Sequence, residues 1–135
     1  MVQVSGGCMC GAIRYEISGE PRRMVNCHCD DCRKNTGAAF ATNILFDEAD
    51  VRVTRGETRA FEHLSDAGNT KIKEFCPTCG SQIFSTTIGR PAIAVKVGSM
   101  DDAGFVKPTA NFYCDRALSY ADLSGDLTNF DEMPN

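Results

Sequence analysis

Eight cysteines constrain this chain more than any other feature of its sequence. Seven fall into short clusters, namely Cys8 and Cys10, then Cys27, Cys29 and Cys32, then Cys76 and Cys79, while Cys114 stands alone. They make up about 6% of the residues, below the ~8–10% typical of disulfide-rich secreted domains. The N-terminus, MVQVSGGCMC, lacks a basic stretch followed by an apolar one, which argues against secretion. Reduced, clustered thiols therefore predict metal ligands rather than disulfides.

Length and charge narrow the class of protein further. A chain of 135 residues fits one domain, 1–135, and its 42% apolar and 24% charged residues are typical of a globular protein. No apolar run approaches the ~18 residues that a membrane span needs. The net charge of −4 argues against a nucleic-acid partner, because such proteins neutralise phosphates with a basic face. We expect a cytoplasmic protein, and the composition is compatible with a homo-oligomer.

Short apolar segments separated by turn residues predict a mostly β fold. Alternation of apolar and polar residues is clear at 61–64 and 92–97, whereas no window of about 11 residues has a strong helical period. Short helical turns are predicted after Asp30 and Asp31 and after Ser119, where capping residues occur. The predicted strands are Ala12–Ile17, Met24–Asn26, Ala38–Phe46, Val51–Thr54, Arg59–Leu64, Lys71–Phe75, Gln82–Thr87, Ala92–Gly98 and Asn111–Tyr113.

Two of the clusters together predict a structural zinc site. The Cys-Pro-Thr-Cys-Gly segment at 76–80 has a proline that presets a turn and a glycine that lets backbone N–H groups approach sulfur. The Cys-Met-Cys-Gly segment at 8–11 lies among glycines that let the chain bend. Cys8, Cys10, Cys76 and Cys79 would form the closed tetrahedral set of a structural site. Such an ion would join the start of the chain to its middle.

Cys27, Cys29 and Cys32 have the Cys-x-Cys-x₂-Cys spacing that wraps three ligands around one ion. Three protein ligands leave a fourth position open, as in catalytic zinc sites. A helix beginning here would also lower the pKa of the thiols. An iron–sulfur cluster on these cysteines is an alternative, but the Cys-Pro-x-Cys-Gly segment favours zinc.

The residues around this second cluster are expected to play lesser parts. His28 lies between two ligating cysteines and would have to fold back sharply to bind the ion, so a role behind the ligands or at the surface is favoured. We expect Asp30 and Asp31 to be capping and solvated residues. Cys114 is expected to be a packed thiol, with completion of the open site as the alternative.

Four segments carry a resemblance to a known family: GGCMCGAIRYE, NCHCDDCRK, FCPTCGSQIF and VKVGSMDD. The sequence resembles the glutathione-dependent formaldehyde-activating family, which includes the centromere protein V domain, over about residues 4–123. The resemblance implies a zinc-stabilised, Mss4-like all-β fold. It also implies structural zinc on Cys8, Cys10, Cys76 and Cys79, and catalytic zinc on Cys27, Cys29 and Cys32.

The activity implied by the resemblance is reversible addition of a thiol, typically glutathione, to a small aldehyde. The resemblance therefore implies a carbon–sulfur lyase whose expected partner is a small-molecule thiol or thiol adduct, with glutathione as the expected co-substrate. Arg33 and Lys34 follow the second cluster and are placed to meet glutathione carboxylates, the alternative being two solvated basic residues. Two other hypotheses stay open: a non-catalytic zinc module for a protein partner, and a redox switch at the second cluster.

Overall fold

The computed structural model describes residues 3–134, and the fold is mostly β, as predicted. One short helix, α1, spans Asp30–Thr36, and none of the described helices is long and apolar enough to cross a membrane. The strands are β1 (Gln3–Gly7), β2 (Arg14–Ser18), β3 (Arg23–Cys27), β4 (Ala41–Asp47), β5 (Val51–Arg55), β6 (Arg59–Leu64), β7 (Thr70–Phe75), β8 (Gln82–Thr87), β9 (Ala92–Lys96), β10 (Ala110–Phe112) and β11 (Thr128–Asn129).

The strands form two sheets that pack face to face. The small sheet has the order β1-β2-β5 and is antiparallel. The large sheet has the order β11-β10-β3-β4-β9-β8-β7-β6, and β10 runs parallel to both its neighbours. The main core lies between the sheets, where Tyr15 and Ile17 of the small sheet pack with Phe46 and Val95 of the large one.

Alternation along the strands gives the large sheet two different faces. In β9, Ile93 and Val95 point into the core, while Ala92 and Ala94 lie on the opposite face. Successive side chains of a strand point to opposite sides, so the cross-strand partners share a face. The face away from the core carries small and polar side chains and lines a cavity.

The sequence located most of these elements. β6 and β8 have the predicted bounds, and α1 begins at Asp30, slightly before the helical turn predicted to follow Asp30 and Asp31. The helical turn expected after Ser119 is absent; residues 119–120 form a plain turn, and a 3₁₀ turn lies slightly earlier, at Cys114–Arg116.

Two strands, β1 and β11, were not predicted from the sequence. β1 ends in two glycines, a composition that indicates a bend rather than a strand. Gly6 is nevertheless required in β1, because a Cβ there would lie 2.3 Å from the Ser99 carbonyl oxygen and 2.4 Å from the Tyr15 hydroxyl.

Candidate functional site

The sulfurs of Cys8, Cys10, Cys76 and Cys79 meet in one cluster, all within 4.8 Å of one another. The Cys8 and Cys10 sulfurs are 3.6 Å apart, and the Cys10 and Cys76 sulfurs are 3.8 Å apart. Ligands bound tetrahedrally at the usual Zn–S length of ~2.3 Å are ~3.8 Å apart. This four-cysteine cluster therefore has the dimensions of a zinc site.

Two tight turns build the four-cysteine cluster. In the first, the Gly11 N–H donates to the Cys8 carbonyl at 3.2 Å, and in the second the Gly80 N–H donates to the Cys76 carbonyl at 2.8 Å. Both glycines have positive φ, 83° and 80°, a conformation that costs other residues energy. The first turn leads into the small sheet and the second joins β7 to β8, so an ion here would tie the two sheets together.

Hydrogen bonds onto sulfur prepare this cluster for a cation. The Ile13 N–H donates to the Cys8 sulfur at 3.1 Å. The Ser81 hydroxyl lies 3.2 Å from the Cys79 sulfur, and this contact, with backbone N–H donors, lowers the Cys79 pKa to about 5. Because the thiolate is the metal-binding form, these donors favour binding.

The sulfurs of Cys27, Cys29 and Cys32 form a second cluster, again within 4.8 Å of one another. Cys27 ends β3, Cys29 is the N-cap of α1, and Cys32 lies in the first turn of that helix. The Cys29 sulfur caps the helix by accepting the Cys32 N–H at 3.2 Å. The expectation that Asp30 or Asp31 caps α1 is therefore wrong, since a sulfur takes that place.

Burial makes it costly to ionise all the thiols of the three-cysteine cluster. Hydrogen bonding to Cys29 raises the pKa of Cys27, whereas Cys32, which accepts hydrogen bonds from both neighbours, has its pKa lowered to about 2. Among the three thiols, ionisation is therefore favoured most at Cys32. Ionising all three sulfurs in so small a buried space requires a cation, so the donor set fits Zn²⁺ or a similar ion.

All three cysteines line a cavity of about 310 Å³. This volume is at the lower end of the ~300–1,000 Å³ typical of ligand pockets. The cavity exists because the sheet face that lines it carries small side chains in neighbouring strands, including Ser85, Ala92 and Ala94. A ligand in the cavity can therefore reach an ion bound by the three-cysteine cluster.

Two buried lysines act electrostatically on Cys32 of this cluster, and sequence analysis missed both. Lys73 lines the cavity, whereas Lys96 does not. Lys73 is 5% exposed and Lys96 is 6% exposed. The Lys73 ammonium donates to the Ser85 hydroxyl at 3.1 Å, and the Lys96 ammonium donates to the Asn43 amide oxygen at 2.8 Å. Burial lowers the pKa of Lys96 to about 8. Among residues 3–134, no carboxylate lies within 4.0 Å of either ammonium.

Arg33 and Lys34, the residues predicted to bind glutathione, do not line this cavity. Arg33 pairs with Asp30 at 3.1 Å across one turn of α1, and Lys34 is exposed. Their contact with a bound thiol stays a prediction. The lysine and arginine side chains that do line the cavity are the buried Lys73, the half-buried Lys71 and the exposed Arg90.

His28 and Cys114 lie outside both cysteine clusters. His28 is 1% exposed, its Nε2 lies 3.2 Å from the Asn111 side-chain oxygen, and its ring packs on Phe40 at 4.7 Å between centroids. Cys114 is half-buried and donates to the Asn111 carbonyl at 3.5 Å. Both residues therefore support the strands behind the cluster.

Comparison with known proteins agrees with the motifs. A family model described as glutathione-dependent formaldehyde-activating enzyme matches residues 3–116. A Halomonas elongata protein named for the same activity is 28% identical over 109 residues, which is 78% of this chain and 69% of that protein. A crystal structure of a Rhodobacter sphaeroides protein has a TM-score of 0.56 and 21% identity, covering 93% of this chain and 99% of the other. The last likeness is one of fold alone.

Proposed function

This chain belongs to the glutathione-dependent formaldehyde-activating family, and on that premise we propose that it adds a thiol reversibly to a small aldehyde. In this reaction a carbon–sulfur bond forms, the carbon–oxygen π bond breaks, and the thiol proton ends on the carbonyl oxygen. With glutathione and formaldehyde the product is S-hydroxymethylglutathione, and the reverse reaction is that of a carbon–sulfur lyase. The observation that carries this proposal is the three-cysteine cluster in the lining of a ligand-sized cavity.

The two cysteine clusters would have separate roles. The four-cysteine cluster offers a closed ligand set and lies between the sheets, which supports a structural zinc. Zinc held by Cys27, Cys29 and Cys32 would supply positive charge that favours the thiolate form of an incoming thiol.

The buried lysines would help to offset the negative charge of the three-cysteine cluster. Three thiolates around Zn²⁺ carry a net charge of about −1, which weakens the ion's pull on a further thiolate. The ammonium groups of Lys73 and Lys96 act on the same cluster, and both lower the pKa of Cys32. They would therefore also favour negative charge on a thiol that enters the cavity.

A Cys29→Ser variant tests the proposal with little risk to the fold. Serine is a good N-cap, so it can accept the Cys32 N–H that the Cys29 sulfur now accepts. The assay uses ¹³C exchange NMR to measure how fast glutathione and formaldehyde interconvert with their adduct, and the uncatalysed rate is subtracted. We expect the variant to lose most of the catalysed part of this rate. The matched control is Cys114→Ser, which changes a half-buried thiol outside both clusters.

Unchanged exchange in a folded Cys29→Ser variant would contradict the proposal. A second measurement uses cobalt in place of zinc, since the visible spectrum of cobalt responds to a new sulfur ligand. We expect the spectrum to change on titration with glutathione in wild type and not in Cys29→Ser. If the wild-type cobalt spectrum does not change when glutathione is added, the alternative is favoured, namely a non-catalytic zinc module that binds a protein partner.

A further inference from the structure

One histidine lines the cavity that also holds the three-cysteine cluster. His63, in β6 at the edge of the large sheet, is half-buried, with 17% of its side chain exposed. The other histidine of the chain, His28, is 1% exposed and does not line the cavity. The roles proposed for the cysteines and lysines leave His63 without a function. Imidazole is the side chain best suited to accept and donate a proton near neutral pH.

Hydrogen bonding assigns the tautomer of the neutral His63 ring. The Nδ1 atom lies 3.3 Å from the Leu64 carbonyl oxygen. Because a carbonyl oxygen can only accept a hydrogen bond, Nδ1 must carry the proton and donate it. The neutral ring then has an unprotonated Nε2. Among residues 3–134, Nε2 has no hydrogen-bond partner, so it can accept a proton from a molecule in the cavity.

Charged groups of both signs surround His63. The Asp31 carboxylate of α1 lies 3.9 Å from Nδ1, and Lys71 is the cross-strand neighbour of His63 in β7. Cross-strand neighbours share one face of a sheet, and both of these residues line the cavity. Asp66, in the turn that follows β6, also lines the cavity, but its carboxylate pairs with Arg116.

The contact with Asp31 places His63 beside the three-cysteine cluster. Asp31 directly precedes Cys32 in the first turn of α1, and Cys29 caps that turn. The contact therefore links β6 to the helix that carries two of the three cysteines. Since the imidazole ring and all three cysteines line the same cavity, a ligand in that cavity can lie against both.

We propose that His63 transfers the proton in the thiol addition. Nε2 accepts the proton that the thiol loses as its sulfur bonds to the aldehyde carbon. The π electrons move to the carbonyl oxygen, and Nε2–H then donates the same proton to that oxygen, which returns the ring to its starting form. In the reverse reaction Nε2 takes the proton from the hydroxyl group and returns it to sulfur. This inference rests on the proposed function, because it assigns a residue to the same reaction.

The other charged side chains that line the cavity are less suited to both steps. The lysines and Arg90 are of residue types ordinarily protonated near pH 7, whereas aspartates are ordinarily ionised there. A protonated base cannot accept the thiol proton, and a weakly basic carboxylate takes it up poorly. A neutral imidazole accepts the proton and, once charged, donates it readily.

The first experiment measures the protonation of His63 without turnover. Long-range ¹H–¹⁵N NMR of zinc-loaded protein distinguishes the two neutral tautomers of the ring and follows its protonation as the pH is lowered. We expect the neutral ring to carry its proton on Nδ1. A proton on Nε2 instead would overturn the proposal, because Nε2 could then not accept one from the thiol.

The second experiment compares wild type with His63→Asn, whose side-chain amide can still donate to the Leu64 carbonyl but which has no Nε2. The exchange of glutathione and formaldehyde with their adduct is measured by ¹³C exchange NMR on zinc-loaded samples. We expect kcat/KM of the variant to be lower by ~10²-fold or more, the usual effect of losing a general acid–base. The control is Glu62→Gln, which changes an exposed neighbour outside the cavity lining and should keep the wild-type value.

The pH dependence separates proton transfer from a structural role. In wild type, kcat/KM should fall toward low pH in step with the protonation of His63 that NMR records, because protonated Nε2 cannot accept the thiol proton. This fall should be missing from the residual activity of His63→Asn. A lower kcat/KM with an unchanged pH profile would make His63 a structural residue and overturn the proposal.

Two other outcomes distinguish this inference from the proposed function. Wild-type kcat/KM in a folded, zinc-loaded His63→Asn variant would show that water carries the proton, and would overturn the role of His63 while leaving the reaction in place. Absence of catalysed exchange in zinc-loaded wild type would refute the proposed function, and the role of His63 with it.

Discussion

Replacing Lys96 with methionine should stabilise the protein by removing a buried charge. Burial lowers the Lys96 pKa from 10.5 to about 8, which corresponds to about 3 kcal/mol of destabilisation when the lysine is charged. Methionine has a similar length and no charge. The variant loses the hydrogen bond to Asn43, and leaving that buried oxygen unpaired costs about 1 to 2 kcal/mol. We therefore expect a net gain of about 1 to 2 kcal/mol at pH 7.

The expected gain depends on pH in a defined direction. Below about pH 8 the lysine is protonated in both the folded and the unfolded protein, so the full penalty applies. As the pH rises from about 8 toward 10.5, the folded state loses its proton first and the penalty disappears. Wild-type stability should therefore rise relative to Lys96→Met across this interval. Near pH 10.5 the variant should be the less stable protein, by the cost of the lost hydrogen bond.

Urea unfolding followed by far-UV circular dichroism measures this difference, since the chain has no tryptophan for a fluorescence assay. Wild type and variant are compared at pH 7 and pH 10.5 with zinc content measured in each sample. Subtracting the unfolding free energies of the two proteins at the same pH removes the contribution of all other titrating groups. Equal slopes of unfolding free energy against urea concentration would show that both proteins expose a similar surface area on unfolding. The reasoning is refuted if the variant is less stable at pH 7, or if the difference does not change with pH.

Three further variants test separate parts of the structure. Cys76→Ala should lose one bound zinc by native mass spectrometry and unfold at much lower temperature, because structural zinc contributes ~10 kcal/mol or more in small domains; retention of the ion would contradict this. Gly6→Ala should destabilise the protein by roughly 2 kcal/mol in urea, since its Cβ would meet the Ser99 carbonyl and the Tyr15 ring; an unchanged midpoint would show that β1 shifts freely. Cys114→Ala should keep the zinc content of wild type, and loss of an ion would make Cys114 a ligand.

The cysteine clusters could be predicted from the sequence because their ligands are local. The spacing of two or three cysteines within a few residues brings their sulfurs together in a turn or at a helix end, whatever the rest of the chain does. Pairing the segment at 8–11 with that at 76–80 needed chemical reasoning about ligand number, and the structure brings those sulfurs within 4.8 Å of one another. The detail that a cysteine caps α1 was missed, since aspartate is the commoner cap.

The cavity and the two buried lysines could not be predicted in the same way. Lys73 and Lys96 occupy polar positions of alternating strands, and such a pattern usually marks a face exposed to water. They come from β7 and β9, which are separated by β8 in the sheet, and the register sets Lys73 beside Ser85 and Lys96 beside Asn43. The sequence does not specify this register, because it depends on how all the strands pair.

The sequence alone therefore determined the mostly β class, the two cysteine clusters that could hold a metal ion, and the family, since each is encoded by local spacing and alternation. Only the tertiary structure decided which face of the large sheet is covered, how large the cavity is and which charges surround the second cluster. Local spacing fixes what neighbouring residues can bind, whereas burial and the electrostatics that follow from it depend on contacts between distant segments.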